Sequence, residues 1–350
     1  MSGKGRMKAA LYYGPGDLRY EETEIPAIGA RDILVRVNLT LTCGTDLKTF
    51  KGDRPVTTEK LPVVLGHEFA GVVEKVGEEV SKFEVGMRVV AANSAPCNEC
   101  YFCKRGRQNL CEHLSENHIT GAYAEYVRVP EQVVRQNTYE IPGNMSPKEG
   151  ALLEPLACVV HGVSIADIHL VDSVAIIGSG PIGLLLLQLV KRSGSCRTMI
   201  ADLSKKRLEV AKALGADFTI NGDTDVQVAK VRELTDGRGA DVVIEAVGQV
   251  KTWEASIEMC RKAGTIVLFG GAPSGTKFSI DTRRFHYEEL TIKGVYHHSP
   301  LYVEKAMKLL QCGAINTKAM VTHEMPLRRV AEGLRMMESG EAVKVAIIPP

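Results

Sequence analysis

The sequence predicts a two-part α/β protein, in which a mostly β region precedes a doubly wound parallel sheet. Its 350 residues, 45% hydrophobic and 24% charged, have ordinary globular composition and enough length for two cores. Up to about residue 154, short alternating segments such as 33–37 and 71–76 are separated by glycine and proline turns, a pattern typical of strands. After residue 172, apolar runs alternate with amphipathic helical stretches, as parallel βαβ units require.

The second region contains six strand candidates with helical stretches between them, which predicts a doubly wound sheet. The candidates are 174–177, 198–201, 217–220, 241–246, 265–269 and 290–294. The last segment, 302–350, has two helical stretches and a strand at 343–348, which we expect to return to the first region. We therefore expect one domain from 1–157 together with 296–350, and a second from 158–295.

Charge, hydropathy and cysteine content exclude several classes of partner and of cellular location. The formal net charge is +1 without a long basic or acidic run, so neither nucleic acid nor an anionic membrane is an expected partner. The longest apolar stretch, 182–190, is too short to span a bilayer. Residues 1–8 are basic but lack the apolar core of a secretory signal. Nine cysteines are too few for a disulfide scaffold, and we expect a soluble, cytoplasmic protein.

Four cysteines form the most specific pattern in the chain. Cys97, Cys100, Cys103 and Cys111 follow C-x2-C-x2-C-x7-C spacing on a polar loop. Free cysteines prefer buried apolar sites, whereas four thiolates so spaced can close tetrahedrally around one zinc ion. A closed site of this kind has no open coordination position, so it stabilises the loop and the chemistry lies elsewhere.

A dinucleotide-binding pattern begins the second region. The strand at 174–177 leads into G-x-G-x-x-G, formed by Gly178, Gly180 and Gly183, and then into a helix over 184–191. Glycines at these positions permit a tight turn, a close approach to a pyrophosphate and close helix packing. Asp202 ends the next strand, where its carboxylate accepts hydrogen bonds from the adenosine ribose and repels a 2′-phosphate. This favours NAD over NADP.

The cationic side chains of residues 205–207 weaken the preference for NAD over NADP, because they can attract the 2′-phosphate of NADP. Arg207 can instead stack on adenine. The alternative interpretation of the region is a glycine-rich structural turn followed by a solvated helix start. Further cofactor contacts are expected from Pro181, Ile182, Val247 and Phe269.

Two short segments of the first region carry candidate metal ligands. Cys43 lies in Cys-Gly-Thr-Asp and His67 in Gly-His-Glu-Phe-Ala-Gly, the latter between two strand candidates. A cysteine, a histidine and a carboxylate brought together form a zinc site with one position open for substrate. Taken one at a time, Cys43 is equally compatible with a core thiol, His67 with a structural imidazole and Glu68 with a surface acid.

The order of these motifs, followed by Glu154-Pro-Leu-Ala-Cys and the glycine fingerprint, resembles the zinc-dependent medium-chain dehydrogenase/reductase family over essentially the whole chain. Within it, the chain is most similar to the sorbitol (iditol), threonine and cyclitol dehydrogenase branches, because Glu154 stands where simple alcohol dehydrogenases have a cysteine. The resemblance implies a GroES-like, mostly β catalytic domain and a Rossmann domain that binds NAD. It also implies a homodimer or homotetramer, built partly by the strand at 290–294.

The resemblance also implies site roles and two zinc ions per chain, one structural and one catalytic. Cys43 and His67 are expected as fixed ligands of the catalytic zinc. Glu68 and Glu154 are the carboxylates that bind the metal directly, bind its water or exchange as substrate arrives. Thr45, two residues after Cys43, is expected to accept the substrate proton and pass it to the nicotinamide ribose. Its alternative is a turn-capping hydroxyl.

The chain departs from the family pattern at two places. Lys48 stands where many relatives have a histidine that ends the proton relay. The sorbitol branch has an arginine-tyrosine pair after the last Rossmann strand, whereas this chain has Tyr296, His297 and His298, which either bind several substrate hydroxyls or form a polar turn. The leading hypothesis is oxidation of a polyol, sugar or cyclitol to a ketone. Lys48 keeps L-threonine 3-dehydrogenase as an alternative, and a non-catalytic dinucleotide-binding protein is the rival of another class.

Overall fold

The computed structural model describes residues 5–53 and 61–350 and divides the chain into two compact units. One unit comprises Met1–Ala157 and His298–Pro350, and the other comprises Cys158–His297. The predicted boundaries at 157/158 and 295/296 lie at or within two residues of these. The prediction that residues 1–8 are not a secretory signal falls partly on residues 1–4, which lie outside the described residues.

The first unit begins with a series of short strands interrupted by brief helices. Its strands up to residue 140 are β1 Arg6–Gly14, β2 Asp17–Glu24, β3 Ile33–Leu41, β4 Val63–Val64, β5 Glu68–Val76, β6 Arg88–Ala91, β7 Tyr126–Val129 and β8 Thr138–Glu140. The helices are α1 Gly44–Lys51, α2 Glu131–Gln136, α3 Pro147–Ala151 and α4 Leu153–Ala166, and the division between the units falls within α4.

The second unit is a parallel sheet covered by helices. Its strands are β9 Ser173–Ile177, β10 Arg197–Asp202, β11 Phe218–Asn221, β12 Ala240–Glu245, β13 Cys260–Leu268 and β14 Thr291–Gly294. Its helices after α4 are α5 Pro181–Val190, α6 Lys205–Ala213, α7 Thr224–Leu234, α8 Val250–Met259 and α9 Thr282–Tyr287. All of residues 158–297 are described, and their six strands lie in the order β11-β10-β9-β12-β13-β14.

This order confirms the predicted doubly wound fold. Parallel strands are buried on both faces, which explains their continuous runs of valine and isoleucine. Val174, Ile176 and Ile244 are fully buried accordingly. The prediction placed the start of β13 at residue 265, whereas the strand begins at Cys260.

The chain then returns to the first unit. The elements are α10 Pro300–Gln311, α11 Thr317–Met320, β15 Val321–Pro326, α12 Val330–Ser339 and β16 Lys344–Ile348. The last strand pairs in parallel with β15 and antiparallel with β3, where Ala346 lies opposite Leu41. The main sheet of this unit, among the described residues, runs β15-β16-β3-β5-β6-β8, with β7 also paired to β3.

Alternation of apolar and polar residues places one face of this sheet on a core. Ile33, Val35 and Val37 point from β3 into a buried cluster with Phe69 and Val73 of β5. Gly66 and His67 lie between β4 and β5 as predicted, whereas the rest of the predicted inter-strand segment, 68–71, belongs to β5, which begins at Glu68. Among residues 5–53 and 61–350, none of the helices combines the length and the apolar character needed to cross a bilayer.

Candidate active site

Three potential metal ligands are brought together by the pairing of β3 with β5. Leu41 lies opposite Glu68 in this antiparallel pair, so the residues that follow β3 meet the residues that begin β5. A ligand atom from each of Cys43, His67 and Glu68 lies within 4.8 Å of the other two. Thiolate, imidazole and carboxylate are the groups that bind zinc in proteins, so this donor set fits a zinc ion.

Cys43 is the N-cap of α1, and its Sγ accepts a hydrogen bond from the backbone N–H of Thr45 at 3.4 Å. This hydrogen bond holds the sulfur at the start of α1, on the side where β5 begins. Thr45 is itself fixed in the first turn, because the hydroxyl of Thr49 donates to its carbonyl oxygen at 3.1 Å. The proton-transfer role of the Thr45 hydroxyl stays a prediction.

His67 is oriented by a buried carboxylate. Its Nδ1 lies 3.3 Å from Oδ1 of Asp46, and the hydroxyl of Tyr123 donates to Oδ2 of the same aspartate at 2.9 Å. The imidazole also hydrogen-bonds to the Cys43 side chain. Burial disfavours the charged ring, but Asp46 and Cys43 outweigh it and raise the pKa of His67 well above its usual range. With Nδ1 engaged by Asp46, Nε2 is the nitrogen available to a metal.

Glu68 forms a fully buried ion pair with the last strand of the chain. Nζ of Lys344 lies 2.8 and 2.6 Å from the two carboxylate oxygens of Glu68 and donates to the carbonyl oxygen of Thr42 at 3.0 Å. The two side chains are 2% and 0% exposed. Three acceptors satisfy the three donors of the ammonium group, and Glu68 is held beside Cys43 in a charge-balanced state.

No role was predicted from the sequence for Asp46, Tyr123 or Lys344. Two of these residues have sequence features from which a role could have been predicted. Lys344 stands alone in the apolar segment 343–348, and a lysine in a strand buried on both faces requires an acidic partner. Asp46 ends the Cys-Gly-Thr-Asp segment, one turn of helix after a candidate ligand. Tyr123 lies on a loop far from both in sequence, and its contact arises from the tertiary fold.

Glu154 lies outside the three-residue set but close to it. It is 7% exposed in the first turn of α4, within the first unit. Burial raises the pKa of Glu154 to about 7, with His67 and Lys344 opposing this rise and Glu68 adding to it. A carboxyl group with a pKa near 7 is suited to proton transfer. Its direct binding of the metal stays a prediction.

The candidate substrate residues differ in exposure. Tyr296 is 59% exposed, whereas His298 is 2% exposed and its Nε2 lies 3.0 Å from Oδ1 of Asn93. Nδ1 of His161 lies 2.8 Å from the carbonyl oxygen of His297, to which it donates. The Asn93 contact is of the kind expected of the polar-turn alternative, and a substrate contact of His298 stays a prediction. Contact of Tyr296 with a substrate stays a prediction.

The four-cysteine loop forms a second metal-ligand set within the first unit. The Sγ atoms of Cys97, Cys100, Cys103 and Cys111 all lie within 4.8 Å of one another. A tetrahedral zinc with Zn–S bonds of about 2.3 Å needs sulfur–sulfur distances of about 3.8 Å, so the set fits one zinc ion. Backbone N–H donors from Cys103 and Glu112 lower the pKa of Cys100 to about 6, which favours a thiolate there.

The glycine fingerprint has the geometry that a pyrophosphate site requires. Gly178 has φ of +99°, a conformation that disfavours side chains, and a Cβ on Gly183 would lie 1.8 Å from the Gly178 carbonyl oxygen. Nothing lies within 4 Å of where a Cβ on Gly180 would be, so the backbone there is open to a ligand. Gly180 is the N-cap of α5, and Pro181 and Ile182 begin the helix. This cradle fits the pyrophosphate of a dinucleotide.

Asp202 is the last residue of β10, as the fingerprint requires. Its Oδ2 accepts from the backbone N–H of Ser179 at 2.7 Å, and its Oδ1 accepts from the N–H of Ser204 at 2.8 Å. The carboxylate therefore also holds the glycine loop, which the sequence analysis did not foresee. Each oxygen retains a second lone pair for a ribose hydroxyl. The Ser204 hydroxyl caps α6 by accepting from the N–H of Arg207 at 3.4 Å.

The two remaining expected cofactor contacts follow the neighbouring strands. Val247 comes just after β12, and its Cγ2 would lie 2.8 Å from a Cβ on Gly178, so it borders the glycine loop. Phe269 follows β13, and its ring would lie 2.7 Å from a Cβ on Gly162 of α4. The structure thus brings Val247 to the fingerprint. Whether Phe269 contacts a cofactor stays a prediction.

Comparison with known protein families identifies two matching domain models. Residues 29–139 match the alcohol dehydrogenase GroES-like domain, and residues 181–311 match the zinc-binding dehydrogenase domain. The first range contains Cys43, His67 and Glu68 as well as the four-cysteine loop. The second begins at Pro181 in the glycine fingerprint.

Similar proteins cover nearly the whole chain. The sorbitol dehydrogenase of Halalkalibacterium halodurans is 34% identical over 98% of this chain and 99% of its own. The erythritol/L-threitol dehydrogenase of Mycolicibacterium smegmatis is 33% identical over 98% of each chain. The D-arabitol-phosphate dehydrogenase of Enterococcus avium is 34% identical over 97% of each.

Two solved structures with bound cofactors have the same fold as this chain. A zinc-binding dehydrogenase from Sinorhizobium meliloti, bound to NADP, has a TM-score of 0.88 and 32% identity over 99% of this chain and 100% of its own. An Escherichia coli alcohol dehydrogenase complexed with NADH has a TM-score of 0.88 and 28% identity over 98% of this chain and 99% of its own.

Proposed function

The chain belongs to the zinc-dependent medium-chain dehydrogenase/reductase family, and from this premise we propose that it oxidises a secondary alcohol of a polyol, sugar or cyclitol to a ketone with NAD. The observation that carries the proposal is the set of half-buried Cys43 and buried His67 and Glu68, whose ligand atoms lie within 4.8 Å of one another. Relatives named for sorbitol, erythritol and threitol support a polyhydroxylated substrate.

Different side chains of the first unit have different proposed roles in the reaction. When bound, zinc supplies a Lewis acid that favours loss of the alcohol proton, and NAD supplies the hydride acceptor. Cys43 and His67 would hold the metal, and Asp46 keeps the His67 ring in place through the 3.3 Å contact. The Thr45 hydroxyl would accept the proton of the substrate hydroxyl and release its own proton to the nicotinamide ribose. Burial raises the pKa of Glu154 before a metal is bound, so its carboxyl group would take up a proton more readily than an exposed glutamate.

We propose NAD over NADP because Asp202 places a carboxylate at the end of β10. A carboxylate accepts hydrogen bonds from ribose hydroxyls and repels a 2′-phosphate. The hydrogen bonds from Ser179 and Ser204 hold it at this position. The structural relatives bind either cofactor, one with NADP and one with NADH, so the choice rests on this chain's own residues.

The test of function is a screen of NAD reduction with the purified, zinc-loaded protein. Substrates are sorbitol, erythritol, L-threitol, D-arabitol phosphate, a cyclitol, L-threonine and simple secondary alcohols. We expect the highest kcat/KM with a polyhydroxylated alcohol and none above background with Cys43→Ser. Preference for L-threonine would instead support the threonine dehydrogenase alternative. Tight NAD binding without turnover of any alcohol would support the non-catalytic alternative.

The role of Glu154 has a separate test. Glu154→Gln keeps the size of the side chain and removes its charge. We expect kcat to fall by roughly one to three powers of ten, with a changed pH profile and an unchanged fold. A deuterated alcohol would establish that hydride transfer is being observed. A natural kcat and pH profile would show that Glu154 belongs to the structure alone.

We also propose a homo-oligomer in the cytoplasm. In residues 158–297, β14 pairs with β13 on one side and has no strand on the other, and an open edge is commonly closed by a second copy. Light scattering is expected to show a dimer or tetramer, and a monomer at micromolar concentration would contradict this. A four-thiolate zinc site requires reduced cysteines, which favours the cytoplasm.

A further inference from the structure

A buried carboxyl group that the proposed mechanism does not use lies at the switch point of the parallel sheet. Glu245 is the last residue of β12, which neighbours β9 in the strand order. The connections reverse direction between these two strands, and ligands of doubly wound sheets bind in the crevice at their carboxyl ends. Val247, two residues after Glu245, borders Gly178 of the glycine fingerprint.

The Glu245 carboxyl group organises the loop that follows its own strand. The side chain is 0% exposed. Its Oε1 accepts three hydrogen bonds, from the backbone N–H of Val247 at 2.8 Å, the N–H of Gly248 at 2.9 Å and the hydroxyl of Thr252 at 2.7 Å. One acceptor atom therefore fixes both residues that turn the chain away from the sheet.

The same residue connects this loop to the loop after β13. Its carbonyl oxygen accepts from the N–H groups of Phe269 and Gly270, each at 2.9 Å. The two loops are in close contact, because a Cβ on Gly270 would lie 2.3 Å from the nitrogen of Gly248. The indole N–H of Trp253 donates to the Gly270 carbonyl oxygen at 3.0 Å. Glu245 thus holds two adjacent loops at one edge of the crevice.

The side of the sheet on which these loops lie identifies the part of the cofactor they face. The pyrophosphate cradle follows β9, and the ribose acceptor Asp202 ends β10, on the other side of β9 from β12. A dinucleotide that crosses the switch point places its second nucleotide over the β12 side. The loops held by Glu245 therefore line the nicotinamide half of the crevice.

We propose that Glu245 is a positioning residue for the nicotinamide half of the cofactor, acting through Val247, Gly248 and Gly270. The proposal rests on the proposed function, since it requires that the second unit bind NAD. A carboxyl group costs free energy when it is buried, and its Oε2 has no hydrogen-bond partner among the described residues. A loop alone needs no such group, whereas a loop that must present fixed backbone atoms to a ligand gains from one rigid acceptor.

The test compares binding of NADH with binding of ADP-ribose, which lacks the nicotinamide. Trp253 is the only tryptophan in the sequence and contacts Gly270, so its fluorescence reports on this loop directly. Glu245→Met removes the acceptor at similar length, and Glu245→Gln restores an acceptor oxygen. Thr252→Val removes one of the three donors and provides a milder variant if Glu245→Met fails to fold.

The control variant is Asp241→Asn, near the start of the same strand. Asp241 is partly buried and accepts hydrogen bonds from Ser173 and Arg261, at the end of β12 opposite to the crevice. We expect this variant to lose stability while leaving the ratio of the two dissociation constants within about twofold of the natural protein.

For Glu245→Met we expect the Kd for NADH to rise by about tenfold or more, because three buried donors lose their acceptor, while the Kd for ADP-ribose stays within about twofold. Thr252→Val should shift the ratio in the same direction by a smaller factor, and Glu245→Gln should recover most of the NADH affinity. Equal weakening of both ligands, no weakening of either, or an equal selective effect in Asp241→Asn would overturn the proposal. If the natural protein binds neither NADH nor ADP-ribose, the proposed function fails and the inference fails with it.

Discussion

Removing Lys344 leaves a buried glutamate without its cation, and this perturbation tests the interior of the candidate active site. Lys344→Met keeps the length of the side chain and deletes the ammonium group that contacts both oxygens of Glu68 at 2.8 and 2.6 Å. Breaking a buried ion pair by removing one partner costs about 3–5 kcal/mol, because the remaining charge stays desolvated. Both side chains are at most 2% exposed, so solvent screening does not reduce this value appreciably.

Hydrogen exchange measured by mass spectrometry gives the stability of the unit that contains the pair. Opening of β3 and β16 should become easier by about 3–5 kcal/mol in the metal-free protein, which corresponds to exchange faster by roughly two to three and a half powers of ten. A zinc ion near Glu68 supplies a substitute cation, so the loss should be smaller in the zinc-loaded protein. The matched control is Lys51→Met, which removes an exposed, solvent-screened ion pair with Glu338 and should leave exchange in these strands nearly unchanged.

A double variant isolates the interaction between the two charges. Glu68→Gln combined with Lys344→Met removes the stranded charge, and we expect at least half of the lost stability to return. A cost below about 1 kcal/mol for Lys344→Met, or strictly additive effects in the double variant, would refute the reasoning that the pair is energetically coupled and desolvated.

Three further predictions concern the metals, the cofactor and acid stability. Metal analysis should give about two zinc ions per chain, and Cys97→Ser and Cys43→Ser should each lose about one of them. The Cys97→Ser protein should have a lower Tm, whereas the Cys43→Ser protein should stay folded and be inactive. Unchanged metal content in either variant would contradict that site. Asp202→Ser should move the NADP to NAD ratio of kcat/KM upward by about tenfold or more, and a natural enzyme that already prefers NADP would contradict the assigned role. Burial raises the pKa of Asp241, but hydrogen bonds from Ser173 and pairing with Arg261 outweigh it and lower the pKa below its usual value. The contribution of Asp241 to stability is therefore present above about pH 4 and lost as the pH falls further. Asp241→Asn should make the free energy of unfolding depend less steeply on pH in this range, and an unchanged pH dependence would count against this contribution.

The local features of this protein were determined by its sequence. Period-2 alternation and apolar runs predicted the strands, because burial on one or both faces imposes those patterns directly. Glycine spacing predicted the turn at Gly178, since a φ of +99° and a carbonyl 1.8 Å from a Cβ on Gly183 exclude larger residues. The thiol spacing of 97–111 predicted a compact ligand set for the same local reason: all four thiols lie on one short stretch of chain.

The tertiary structure decided how distant residues meet, and this explains what the sequence analysis missed. Lys344 reaches Glu68 because β16 pairs with β3, and β3 pairs with β5, across 276 residues of sequence. Tyr123 reaches Asp46 across 77 residues, from a loop with no distinctive pattern. A local sequence pattern predicts whether a side chain is buried but not which residue it contacts. The contact depends on strand register and on chain reversals between distant segments. The ligand types were therefore predictable from sequence, whereas the groups that orient and neutralise them required the fold.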